Sequence, residues 1–195
     1  MTVETLAIVL GRFALLAVLV VSAWTDWRSR RIPNVIAVLG LFVALGWHLL
    51  APAGAGLFDR YLPGALGLRE ASLGASCAFI GFLVLHGFGL VGAGDVKLMT
   101  AVGAFAGLDS LPGLVLLVFC CGGVLALCQA LIERRLIVVL RNVRGLAYAL
   151  ACRLGGWSAP LPEVSTEQGS RMPFALAIAS GSAAFALASW WDLIV

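Results

Sequence analysis

The stretch Val91-Gly92-Ala93-Gly94-Asp95-Val96-Lys97 puts a carboxylate directly after two closely spaced glycines, at the edge of a long apolar segment. Whether that carboxylate stands in water or at a membrane decides the fold, and the rest of the chain answers the question. Of the 195 residues, 62% are hydrophobic and only 12% charged, with a mean hydropathy of +1.04, far outside the soluble globular range. The charges fall in a few short clusters between apolar runs. A spanning helix needs ~20 apolar residues to cross ~30 Å of hydrocarbon. The expected architecture is therefore all-α and polytopic: about six transmembrane helices in a single domain over residues 1–195. Long continuous runs, rather than alternating ones, argue against a barrel of strands.

Before Asp95, the segment Ala71 to Leu90 reads as the third span, with His86 one turn before its end. His86 either touches the site or is a satisfied buried polar group. After Asp95, Val96 to Gly107 is apolar but short for a crossing, and an outer turn is expected at Asp109 to Pro112 before a fifth span at Gly113 to Ile132. Gly103 and Gly107 form a small-xxx-small pair that would let a helix approach closely, unless they only reflect the frequency of glycine in membrane helices.

The first span runs from Leu6 to Trp24, a retained helix with no signal-peptide pattern, and Arg12 lies near enough to its outer end to snorkel. It leads into Asp26-Trp27-Arg28-Ser29-Arg30-Arg31-Ile32-Pro33-Asn34, whose three arginines place this loop in the cytoplasm. Pro33 suits the first turn of a second span, Asn34 to Leu50. His48, near the outer end of that span, reads as an interfacial residue. The Pro/Gly-bearing loop Ala51 to Glu70, with balanced charges, is expected outside. Five cysteines without a CxxC pair support neither zinc nor a disulfide framework and read as packing residues.

From Glu133 to Gly156 the character changes. Arg134, Arg135, Arg141, Arg144 and Arg153 share one half of a helical wheel, and Leu136, Val139, Leu140, Val143, Leu146 and Leu150 fill the other. That pattern describes a basic amphipathic helix at the interface of an anionic leaflet. Its continuous apolar face argues against nucleic-acid binding. A loop at Trp157 to Gln168 precedes the last span, Met172 to Trp190, which closes on Trp190 and Trp191. Basic residues concentrate on one side of this arrangement, so both termini are expected outside.

Asp26 then stands at the cytoplasmic end of the first span and Asp95 at the cytoplasmic start of the fourth, at one depth. Two carboxylates held together in a partly desolvated site cannot both ionise easily, and one keeps its proton. The charged member draws a proton from water while the protonated one polarises a carbonyl, the chemistry of an aspartic protease; no metal or cofactor is required. Taken singly, Asp26 also reads as a partner of Arg28 or a helix cap, and Asp95 as a cap or a partner of Lys97. Lys97 either tunes the pair or marks the boundary. Gly92 and Gly94 would let a substrate backbone approach and permit unusual backbone angles.

Asp26-x-Arg28-x-x-x-Ile32-Pro33-Asn34 together with Gly92-Ala93-Gly94-Asp95-Val96-Lys97 resembles the type IV prepilin peptidases, GxGD-type intramembrane aspartyl proteases. Pro173-Phe174-Ala175 resembles that family's last helix, with Ala175 where many members place glycine. The resemblance implies catalytic Asp26 and Asp95, with Gly92, Gly94, Lys97, Arg28, Pro33, Asn34 and Pro173 shaping the site. It implies prepilin or pseudopilin substrates, cut after a leader glycine at the cytoplasmic face of the bacterial inner membrane. Long members carry a CxxC-bearing cytoplasmic domain before the first aspartate, associated with N-methylation. Here the first span runs straight into Asp26, so a short tight-adherence-type peptidase, processing Flp-like prepilins without methyltransferase activity, is expected. Glu133, Glu163 and Glu167 are candidate counter-charges for a basic leader. Two other functions use membrane carboxylates or none: a proton-coupled transporter, which would show mid-membrane polar residues in repeated halves, and a non-catalytic component of a pilus or secretion machine.

Overall fold

The computed structural model describes residues 3–29, 33–59, 61–134, 136–154 and 173–190. Arg30, Arg31, Ile32, Arg60, Arg135, the 157–168 loop with Glu163 and Glu167, Arg171 and Trp191 lie outside the described residues. The fold is all-α, with six helices among the described residues: α1 (Val3–Ser29), α2 (Asn34–Leu50), α3 (Leu68–Gly87), α4 (Ala93–Ile132), α5 (Leu136–Leu154) and α6 (Phe174–Trp190). Three stretches are long and apolar enough to cross a bilayer, Thr5–Ser29, Leu68–Gly87 and Ala93–Ile132, while α2 and α6 are apolar but shorter. The chain is a multi-pass membrane protein. Its helices form two compact units, Met1–Gly122 with Pro173–Val195, and Gly123–Met172.

In the first unit α1 packs against α2 and α6, and α2 against α3. The beginning of α4 supplies the largest fully buried side chains, among them Leu98, Met99, Val102 and Phe105. That explains why the stretch from Val96 is apolar on every side yet short for a span: a helix hydrophobic all round is one enclosed by protein. Close approach is what allows it. A side chain at Gly74 of α3 would run into the Gly103 carbonyl and the backbone of Gly107, and one at Gly103 would meet the Ala78 Cβ at 2.6 Å. The small-xxx-small pair is therefore a contact surface for α3.

The expected outer turn at Asp109 to Pro112 is not a turn. The helical path breaks earlier, at Gly107 (φ 75°, ψ 175°), and Asp109 to Pro112 already belong to the second arm of α4. A left-handed φ suits glycine, and Asp109 fits the positive end of the new arm. Pro112 sits early in that arm, where a proline interrupts little.

The segment between α2 and α3 folds on itself through an Ala53–Ala65 bridge. Leu57 and Phe58 turn inward from it: the Leu57 carbonyl accepts from Arg12 Nε at 3.3 Å, and Phe58 meets Phe185 of α6 edge-on at 5.2 Å. His48 is buried rather than interfacial. Its Nδ1 accepts from the Leu66 N–H at 3.1 Å, so the ring proton is on Nε2, which has no hydrogen-bond partner among the described residues. The cysteines correct another expectation, since Cys77, Cys120 and Cys128 point outward instead of packing in the core.

In the second unit Arg134 adopts a positive φ of 55°, bending the chain between α4 and α5. Arg141 and Arg144 are exposed on α5, with the exposed Ile137 between them on the helical wheel, and Leu140 and Val143 are exposed on the neighbouring face.

Candidate active site

The two aspartates lie in the first unit, at opposite ends of their helices: Asp26 in the last turn of α1 and Asp95 in the first turn of α4. Both are buried, at 8% exposure each. Burial of a carboxylate is costly unless its oxygens find donors, and both find backbone donors. The Ala175 N–H, at the start of α6, donates to Asp26 Oδ2 at 3.1 Å. The first N–H groups of a helix have no partner within it and carry its positive dipole end, so the α6 terminus is a ready cradle for this carboxylate. Ala175 serves as well as glycine there, because what it contributes is its N–H. Phe174 packs against Phe119 at 6.3 Å, holding that end of α6 to the second arm of α4.

Asp95 is held by its own loop. The Gly92 N–H donates to Asp95 Oδ2 at 3.0 Å, and the Asp95 N–H donates back to the Gly92 carbonyl at 3.1 Å. This is half of a capping box, with the carboxylate at the third helical position reaching back to the residue before the helix. Asp95 does cap α4, through one oxygen only. Gly92 is needed for a steric reason and not for unusual angles: a Cβ there would stand 3.0 Å from Asp95 Oδ2. Neither Gly92 nor Gly94 has a positive φ, and Gly94 lies in the first helical turn.

The glycine with the special conformation is Gly89, at φ 73°. Its N–H donates to the His86 carbonyl at 2.8 Å and the Leu90 N–H to the Leu85 carbonyl at 3.0 Å, the paired bonds of a Schellman helix ending. His86 then closes the turn, its Nδ1–H donating to the Val91 carbonyl at 2.8 Å. His86 thus touches Val91, the residue before Gly92, rather than either carboxylate.

No hydrogen bond joins Asp26 to Asp95. Among the described residues neither carboxylate pairs with a cation: Arg28 is exposed on the last turn of α1, and Lys97 Nζ donates to Asn34 Oδ1 at 2.8 Å. That bond ties the start of α4 to the start of α2. Pro33 occupies the cap position of α2, one residue earlier than expected, with φ −59° and ψ 131°. Pro173 is half-buried just ahead of α6, and its carbonyl accepts from the Leu176 N–H at 3.2 Å. The structure thus joins Asp26 to the α6 terminus and Asp95 to Gly92, links Lys97 to Asn34, and leaves Arg28 exposed. Among the described residues no cluster of three metal-ligating side chains occurs.

Fold and site define a multi-pass helical membrane protein with two buried, backbone-anchored carboxylates at helix ends. Residues 13–127, a stretch that contains both, match the model of the type IV leader peptidase family, and the chain belongs to that family. It is a family of aspartic-type peptidases acting on prepilin-type substrates. No curated protein and no solved structure matches the chain.

Proposed function

We propose that this protein is an intramembrane aspartic endopeptidase that removes the short leader of prepilins or pseudopilins, cutting after a glycine at the cytoplasmic boundary of the bacterial inner membrane, with Asp26 and Asp95 as the catalytic pair. The observation carrying this reading is that each aspartate is buried and fixed through Oδ2 to a backbone N–H at a helix start. Oδ1 of each remains for substrate and water.

The reaction needs one carboxylate ionised and one protonated. The ionised member takes a proton from a water whose oxygen attacks the scissile carbonyl carbon, while the protonated member donates to the carbonyl oxygen. The resulting gem-diol collapses as the C–N bond breaks: one hydroxyl returns its proton to the second carboxylate as the C=O forms, and the C–N electron pair goes to the nitrogen, which takes up the proton held by the first carboxylate. Lys97, bound to Asn34, holds the two motif segments in register, and Pro33 and Pro173 set where α2 and α6 begin. Gly94 leaves the helix start open to a substrate backbone. Arg28, exposed at the membrane boundary, faces lipid headgroups and the incoming leader. In this reading both termini lie outside, and α5 rests its arginines on the anionic cytoplasmic leaflet.

The test is a co-expressed prepilin whose mass is read with wild-type protein, Asp26→Asn and Asp95→Asn. Wild type trims the leader and each variant leaves it intact. Trimming that survives either substitution refutes the catalytic pair.

A further inference from the structure

A second feature of the first unit lies away from the carboxylates. A cavity of about 450 Å³ opens between α1 and α6 beneath the inturned Leu57–Phe58 segment, with Arg12 at one end and Leu19, Ala179 and Ser182 toward the other. Its walls are apolar except for Arg12 and Ser182. Leu16, Val20 and Leu187 border it and are themselves exposed, so the cavity opens sideways, into the bilayer. Ser182 is the polar member without a partner. Several helix hydroxyls bond a carbonyl of their own helix, Thr25 to Val21, Thr100 to Val96 and Ser180 to Leu176; the buried Ser22 of α1, which does not line the cavity, shares with Ser182 the lack of one. Ser182 is 1% exposed, and its Oγ has no hydrogen-bond partner among the described residues. A buried hydroxyl left unsatisfied beside a cavity has an acceptor to gain from whatever fills it.

The two helices forming this seam are the two that build the Asp26 end of the site, α1 through Asp26 itself and α6 through Ala175. At ~1.5 Å per residue, the wall from Arg12 to Val20 is roughly 12 Å long, about two helical turns, and Ser182 lies roughly 10 Å along α6 from Ala175. A second helix laid in this groove would lead straight down to the carboxylates.

We infer that the α1–α6 seam is the docking groove for the membrane-spanning helix of the substrate, with its side chains filling the cavity and a polar group on it accepting from Ser182. The inference rests on the peptidase reading and adds to it the surface that positions the scissile bond. Two turns of a helix present side chains at i, i+3 or i+4, and i+7, a set that fits a cavity of this length. The register follows from the rise per residue: Ser182 faces the substrate about seven residues beyond the cleavage point, and Leu16 about ten. Small and polar groups at such helix contacts serve as close-packing and hydrogen-bonding points in lipid.

The experiment places a photo-activated cross-linking residue at Leu16 or Ala183, in the Asp95→Asn background so that substrate persists, and in parallel at Leu39, exposed on α2 and outside the cavity. Reconstituted with a single-span prepilin, Leu16 and Ala183 give protein adducts mapping to the expected register, and Leu39 gives none. Adducts to lipid alone, or equal capture at Leu39, overturn the inference. Independently, Ala183→Trp, which fills the cavity from an exposed position, raises KM for the prepilin at least tenfold with kcat unchanged. An unchanged KM also overturns it. Failure of wild-type protein to trim the prepilin at all refutes the peptidase reading instead, so the two failures are distinguishable.

Discussion

Gly92→Ala isolates what the knuckle does for the chemistry. The backbone at Gly92 needs no positive φ, so alanine is conformationally tolerated there, but its Cβ would stand 3.0 Å from Asp95 Oδ2. The carboxylate must retreat by a few tenths of an ångström, away from the N–H that now holds it at 3.0 Å. A hydrogen bond to a charged group contributes about 1.5–3 kcal/mol. Losing half of it in the transition state, about 0.8 to 1.5 kcal/mol, slows the reaction roughly four- to twelvefold. The matched control is Gly89→Ala, where φ is 73° and nothing lies within 4 Å of the added Cβ. There the cost is left-handed strain, about 1–2 kcal/mol, which appears as a lower thermal midpoint in detergent. Purified variants are assayed for kcat on a prepilin and for thermal unfolding. The expected result is a rate loss without a stability loss for Gly92→Ala, and for Gly89→Ala a stability loss larger than any rate loss. Wild-type kcat in Gly92→Ala would refute the claim that this carboxylate is positioned by its loop.

His86→Ala frees the Val91 carbonyl, a bond of about 0.5–1.5 kcal/mol, and lowers kcat roughly three- to tenfold with KM unchanged; equal kcat would show that the Schellman turn alone suffices. Lys97→Met and Asn34→Ala remove the same bond, so the double variant should trim no more slowly than the worse single one, and additive losses would assign Lys97 a separate role. Gly103→Leu drives a side chain into Ala78 and Gly74 and should cost at least the 1–3 kcal/mol of an overpacked core, read as a large fall in the thermal midpoint. The rate should follow a bell-shaped pH profile. Below the optimum both carboxylates are protonated and no base remains, and above it both are ionised and no acid remains. A rate rising steadily with pH would count against a two-carboxylate mechanism.

The positions of Asp26 and Asp95 were legible because charge is scarce in this chain, and each aspartate closes an apolar run that hydropathy alone delimits. What holds them was not. Both anchors are backbone N–H groups, of Gly92 and Ala175, and residue type says nothing about a donor every residue but proline carries. The break at Gly107 was obscured by Asp109-Ser110-Leu111-Pro112-Gly113, a composition typical of turns. Asp and Ser are equally at home in the first turn of a helix, and Pro is tolerated early in one, so Gly107 followed by Asp109 could have been read as an ending and a fresh start. Likewise Gly89, two residues beyond a helix that ends in His86-Gly87, carried a helix-stop signal overshadowed by the glycines after it. His48 looked interfacial from its place in the span. Its burial depends on the Leu66 N–H, in a loop whose folding hydropathy does not report.

The way the carboxylates are held bears on where specificity resides. Each is fixed by one oxygen to a helix start, Asp26 to that of α6 and Asp95 to that of α4, and those ends are set by Gly89, Pro173 and the packing of Phe174 rather than by side chains that read a sequence. A pair built this way presents two oxygens and little else, and would hydrolyse any peptide bond brought to it. Selection among membrane proteins must then act before the chemistry, through whatever brings one bond to the boundary and keeps others away. A lateral opening is made by the same two helices that build the Asp26 end of the site, and it is lined by Ser182, whose hydroxyl has no partner among the described residues. A peptidase with its reactive groups on rigid helix ends and its recognition in an apolar seam would tolerate changes near the cleavage point better than changes seven to ten residues into the substrate helix. Substituting those substrate positions one at a time, and comparing KM with kcat for each, separates recognition from reactivity: a KM effect confined to the seam-facing positions is expected, and a uniform effect along the helix would remove the seam from the argument.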